Sequence, residues 1–125
     1  MKVIPRFYHG VIDYMSGLLL LIAPNVFGFA NIGGAAVWMP RIIGLLILLQ
    51  AMSTDYELGL MKMIPISMHL MADYVVSIFM LLSPFLFGFY DDSRAATILM
   101  IAMGVIGLAA AYMTQPRGRP REVMA

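Results

Sequence analysis

Two short patterns in this 125-residue chain could do chemistry, and they are copies of each other. His9 stands four residues before Asp13, and His69 stands four before Asp73. On a helix, a spacing of four puts both side chains on one face. A tyrosine follows each carboxylate, Tyr14 and Tyr74, and the same stripe continues four residues on with a small side chain, Gly17 or Ser77. An imidazole beside a carboxylate can hold a proton, a cation or a small polar ligand. Two imidazoles and two carboxylates together suit a hard or borderline divalent metal. His9 and His69 alone, on related helices, could be axial haem ligands. Each tyrosine hydroxyl could reach the carboxylate of the other copy, or sit as an ordinary core aromatic whose hydroxyl finds some partner.

The elements that carry these residues are apolar. Hydrophobic residues make up 62% of the chain and charged residues 12%, against about 25% charged in an average soluble domain. Four stretches, Phe7–Ala23, Ala35–Met52, Ile64–Ser83 and Ala95–Met113, run 17, 18, 20 and 19 residues. Each is long enough to cross a bilayer as a helix, which takes about 17–25 residues. None alternates with the period of two that a membrane β-strand needs. Loops are expected at Pro24 to Gly34, Ser53 to Met63 and Pro84 to Arg94, where proline, glycine and charge cluster. The first stretch resembles a charged leader in Lys2 and Arg6, but Asp13 in its middle argues for a retained span.

Shifted by sixty residues, the chain matches itself without a gap. The 18 identities include His9/His69, Asp13-Tyr14/Asp73-Tyr74, Pro24/Pro84, Phe27-Gly28-Phe29/Phe87-Gly88-Phe89, Gly44/Gly104 and Thr54/Thr114. Apolar composition alone does not align histidine, aspartate, proline and glycine together, so the chain reads as a tandem duplication. The expected units are a first hairpin over 1–60, a second over 61–114, and a basic, disordered cytoplasmic tail over 115–125. Each unit has an even number of spans, so both point the same way, related by a pseudo-twofold axis along the membrane normal. The expected fold is thus all-α, a membrane four-helix bundle of two parallel-repeat hairpins. The two His-Asp stripes should then lie at equal depth.

Lysine and arginine set the orientation. Lys2, Arg6, Lys62, Arg117, Arg119 and Arg121 flank the termini and the middle loop, while Arg41 and Arg94 alone flank the other two loops. Six against two places both termini in the cytoplasm. Trp38, Phe27/Phe29 and Phe87/Phe89 are expected in an aromatic belt on the far side. Arg41 is expected to snorkel to the outer headgroups or to pair with Asp91 or Asp92.

Asp13-Tyr14, Gly17 and then Ala23-Pro24-Asn25-Val26-Phe27-Gly28-Phe29 resemble one unit of the Ser-Pro-Trp repeat family of small bacterial membrane proteins. Ser83-Pro84-Phe85-Leu86-Phe87-Gly88-Phe89 resembles a second. The naming tripeptide reads Ala-Pro-Asn in one copy and Ser-Pro-Phe in the other, with tryptophan in neither. The resemblance implies a four-span fold in the bacterial inner membrane. It brings no chemistry with it.

A carboxylate inside a bilayer costs about 2.5–3.5 kcal/mol on insertion scales, so both stripes should turn inward. Three uses of His9, Asp13, His69 and Asp73 remain open: a structural network, a proton or ligand site that includes Tyr14 and Tyr74, and a metal or haem site. The structural use leads, because His9 lies near an interface where water can satisfy it and four ligands in two pairs fall short of a diagnostic metal pattern. No metal and no cofactor are therefore expected. Without cysteine there is no thiolate site or cysteine nucleophile, and a net charge of +1 gives nucleic acid no basic surface. No nucleophile with its base and no phosphate loop appears, so an enzyme is not expected. The partners expected are the lipid bilayer and further copies of the chain, because four short helices bury little surface against one another. The leading function is structural or scaffold-type. The alternative is a proton- or cation-linked transporter or ligand-binding protein using Asp13 and Asp73.

Overall fold

A computed structural model describes residues 3–114. The expected cytoplasmic tail, 115–125, lies outside the described residues. Four helices follow in order: α1 (Arg6–Val26), α2 (Ala35–Ser53), α3 (Ile66–Leu86) and α4 (Arg94–Met113), with one 3-10 turn at Ala30–Ile32. They are 21, 19, 21 and 20 residues long. At 1.5 Å per residue each spans about 30 Å, the thickness of a hydrocarbon core. All four are long and apolar enough to cross a membrane.

The duplication is visible in the backbone: α3 begins and ends sixty residues after α1. The helices pair as α1 with α2 and α3 with α4, and contacts between the hairpins are far sparser. Two backbone bonds join the hairpins symmetrically. The Ile4 amide donates to the Met113 carbonyl at 2.8 Å, and the Ile64 amide donates to the Ser53 carbonyl at 2.8 Å. The segment before each odd helix is thus tied to the end of the even helix of the other hairpin.

Each hairpin closes on glycine. A Cβ on Gly44 would stand 2.6 Å from the Gly17 carbonyl oxygen, and one on Gly104 would stand 2.9 Å from the Ser77 carbonyl oxygen. Only a bare backbone permits that approach, which is how membrane helices gain dispersion contact. Leu20, Ala23, Met39, Ile43, Met80 and Met100 fill the space between the hairpins. Met15, Leu18, Leu45, Leu49 and Val105 point outward, as residues solvated by acyl chains should.

Three expectations at the far end are corrected. The first concerns the loops: α1 and α3 continue past Pro24 and Pro84 instead of stopping before them. A proline in a helix removes one amide donor, here the one that would bond to the carbonyl four residues back. In α3 that carbonyl is Met80, and the Ser83 hydroxyl donates to it at 2.8 Å. The serine before the proline replaces the bond the proline abolishes. The second concerns the aromatic belt. Phe27, Phe87 and Trp38 are exposed, but Phe29 and Phe89 are buried at 3% and 1%. Gly28 and Gly88, at φ +76° and +71°, turn the chain between the members of each pair and send the second ring into the core. The third concerns Arg41, which donates to Asn25 Oδ1 at 2.8 Å within its own hairpin and not to Asp91 or Asp92. At the near end, the third helix starts at Ile66, not Ile64. Pro65 is its extended N-cap, and the Ile64 amide is already committed to Ser53.

Candidate functional site: a crossed histidine–aspartate cluster

The Ile-Pro dipeptide that precedes each odd helix sets its first turn. Pro5 and Pro65 are N-caps in extended conformation. Their carbonyls accept from the amides of His9 (3.1 Å) and His69 (3.0 Å). The histidines therefore sit in the first turns of α1 and α3, with the aspartates one turn deeper. Because the two helices are related by the repeat, all four side chains meet between the hairpins. Asp13 is buried, Asp73 is half-buried, and each histidine is 1% exposed.

The pairing is crossed. His9 Nε2 lies 2.8 Å from Asp73 Oδ2, and His69 Nε2 lies 2.9 Å from Asp13 Oδ2. Within each helix the distances are longer, 3.3 Å for His9 to Asp13 and 3.2 Å for His69 to Asp73. The imidazoles meet edge to face at 5.3 Å. His69 Nε2 is aimed between the carboxylates and makes no well-directed hydrogen bond to either.

The last residue pair of the duplication completes the arrangement. Thr54 and Thr114 cap the C-termini of α2 and α4. Each hydroxyl donates to the carbonyl four residues back, Thr54 to Gln50 at 2.6 Å and Thr114 to Ala110 at 2.5 Å. Its single proton is thereby used, so its oxygen must accept from the histidine beside it. His69 Nδ1 stands 2.6 Å from Thr54 Oγ1, and His9 Nδ1 stands 2.7 Å from Thr114 Oγ1. Both imidazoles therefore carry a proton on Nδ1 and turn Nε2 to the carboxylates. A carboxylate oxygen this close to Nε2 requires a proton between them. Two such protons make the four-residue set neutral overall, whichever partner carries them, and neutrality is what a low-dielectric setting demands.

The copies differ in their outer partners. Asp13 accepts from the Tyr56 hydroxyl at 3.0 Å, and Asp73 accepts from the Gln50 amide at 3.1 Å. Tyr56 lies in the loop between the hairpins and is 2% exposed. Burial pushes its phenol well above the ordinary tyrosine range, and the Asp13 charge pushes it the same way. Tyr56 is therefore a permanent donor. A cavity of about 40 Å³ adjoins the cluster, touching His9, Asp13, Ser16, Asp73 and Ser77. That is room for one or two waters.

Sequence reasoning singled out six residues, and the structure brings four of them together. Tyr14 is not among them: its hydroxyl donates to the Leu58 carbonyl at 2.8 Å. Tyr74 is half-buried and makes no side-chain hydrogen bond among the described residues. The residue after each aspartate lies 100° round the helix from it and so cannot share its face. The tyrosine that reaches a carboxylate is Tyr56. Thr54, Thr114, Tyr56 and Gln50 carried no assignment in the sequence. The two threonines had a signal, since they are an identical polar pair at the ends of apolar spans. Tyr56 and Gln50 had none, because their counterparts sixty residues on are Pro116 and Ala110.

A family model, the SPW repeat domain, matches residues 7–114. The chain belongs to the SPW repeat family. The match spans both hairpins and every residue of the cluster, and with four membrane-crossing helices it describes a multi-pass membrane protein. The family's Ser-Pro pair is the Ser83-Pro84 element whose hydroxyl repairs the proline break in α3, while Ala23 has no hydroxyl to do the same in α1. No curated protein and no solved structure matches the chain.

Proposed function

We propose that the chain is a structural or assembly component of the bacterial inner membrane, with both termini in the cytoplasm, in which the crossed His-Asp cluster clasps one hairpin to the other. The observation that carries this reading is the crossing itself. Each histidine's shortest carboxylate contact and its threonine contact both reach into the other hairpin. The cluster adds a polar link to the apolar contact that Ala51 and Tyr56 make with Ile66 and Leu70 at the same end of the hairpins. A neutral polar knot at a helix end serves to fix register and pairing. The chain is assigned no catalytic step, and it is proposed to self-associate through its outward apolar faces.

The test pairs stability with flux. Asp13→Asn with Asp73→Asn should lower the thermal stability of the detergent-solubilised protein and change no proton or solute flux in liposomes. A wild-type flux that the double variant abolishes would replace the clasp with the second reading, a proton- or cation-linked transporter. The small cavity beside the carboxylates supports that second reading. A fluorescent fusion at Ala125 should be bright in cells, and a dark one would reverse the proposed orientation.

A further inference from the structure

We propose that the cluster is also a divalent transition-metal site, with His9 Nε2, His69 Nε2 and one carboxylate oxygen each from Asp13 and Asp73 as ligands, and zinc as the fitting ion. The inference rests on the clasp reading, since it uses the same four side chains.

Three observations carry it. One ligand atom from each of the four residues lies within 4.8 Å of all the others. A tetrahedral ion with bonds of about 2.1 Å needs its ligands about 3.4 Å apart; Asp73 Oδ2 lies 2.8 and 3.2 Å from the two Nε2 atoms, and Asp13 Oδ2 lies 2.9 Å from His69 Nε2 while its Oδ1 lies 3.3 Å from His9 Nε2. An ion therefore enters by widening the two crossed contacts by about half an ångström while the remaining ligand pairs, which lie within 4.8 Å of one another, adjust to the same edge. His69 Nε2, fully buried and aimed into the centre, lacks a directed partner, which an ion supplies. The third observation is the support behind the ligands. Metal-binding histidines present one nitrogen to the ion and donate the other to a fixed oxygen, which locks tautomer and ring. Thr54 and Thr114 do this to both rings at 2.6 and 2.7 Å.

The charge balance also closes. The ion takes the place of the two protons held between Nε2 and carboxylate. Two neutral imidazoles, two carboxylates and one dication again sum to zero. Mixed nitrogen and oxygen ligands favour zinc, ferrous iron or manganese over calcium or magnesium, and four-coordination favours zinc.

Cobalt(II) is the probe, because its visible absorption reports coordination number. Tag-free protein, stripped by chelator in detergent, should take up one cobalt per chain with the intense visible bands of a four-coordinate site, and equimolar zinc should bleach them. Thr54→Val with Thr114→Val should weaken binding about 10–100-fold, and Asp73→Asn should weaken it at least as much. Failure of wild-type protein to bind cobalt stoichiometrically, or bands that survive unchanged in His9→Gln with His69→Gln, would overturn the metal site. Unfolding of the metal-free protein is read separately. If Asp13→Asn and Asp73→Asn leave it as stable as wild type, the clasp reading fails whatever cobalt does.

Discussion

Replacing Asp13 with alanine removes three contacts at once: His69 Nε2 at 2.9 Å, His9 Nε2 at 3.3 Å and the Tyr56 hydroxyl at 3.0 Å. Breaking a buried ion pair by deleting one partner costs about 3–5 kcal/mol, because the remaining charge stays buried without compensation. Within that figure, the orphaned Tyr56 hydroxyl accounts for about 1–3 kcal/mol. Asp73→Ala should be milder, near 3 kcal/mol, because the Asp73 side chain is 16% exposed against 10% for Asp13. The protein carries its own reporter. Trp38, the one tryptophan, sits on α2 and packs edge-on against Phe87 of the other hairpin at 5.7 Å. Its fluorescence during an SDS titration in mixed micelles follows separation of the hairpins. A lipid-facing control, Leu45→Ala, should change stability by less than about 0.5 kcal/mol. If Asp13→Ala costs no more than that control, or less than Asp73→Ala, the clasp does not hold the hairpins as described.

Tyr56→Phe tests the permanent donor through pH. The folded phenol keeps its proton while the unfolded one loses it above about pH 10, so wild-type stability falls as pH rises beyond that point. The wild-type advantage over Tyr56→Phe should shrink by up to about 1.4 kcal/mol per pH unit, and an advantage that stays constant from pH 8 to about 12 contradicts it. Gly44→Ala puts a Cβ 2.6 Å from the Gly17 carbonyl oxygen and should cost about 1–3 kcal/mol; unchanged stability in the same titration would mean α1 and α2 do not pack so closely. Ser83→Ala strips the Met80 carbonyl of its donor and should cost about 1 kcal/mol, whereas a neutral result would leave the Ser-Pro pair without its helix-repair role.

Much of the fold was legible in the sequence because the bilayer restricts the choices. An apolar run of some twenty residues has few alternatives to a helix, and a sixty-residue self-match fixes which helices are equivalent. His9, Asp13, His69 and Asp73 were legible for the same reason, since costly side chains in two copies must meet at matching depth. What the chain hid was direction and reach. Nothing in the sequence shows that each histidine pairs more closely with the aspartate of the other helix than with its own, since that depends on how the hairpins sit together. Proline at 24 and 84 read as a stop signal, yet in a last turn it removes only one bond, and in α3 Ser83 replaces it. Phe29 and Phe89 read as interfacial rings until the positive φ of the preceding glycines turned them inward. Tyr14 and Tyr56 exchange roles because adjacency in the chain is not adjacency on a helix face.

The central claim is that the imidazole of one hairpin meets the carboxylate of the other. Segmental labelling tests it directly, with ¹⁵N-histidine confined to the second hairpin and ¹³C-aspartate confined to the first, in protein reconstituted into bilayers. Solid-state dipolar recoupling between His69 Nε2 and the Asp13 carboxyl carbon should then be strong, as the 2.9 Å contact requires. A spectrum in which His69 Nε2 dephases no faster than the unlabelled control would show that the hairpins do not share this cluster.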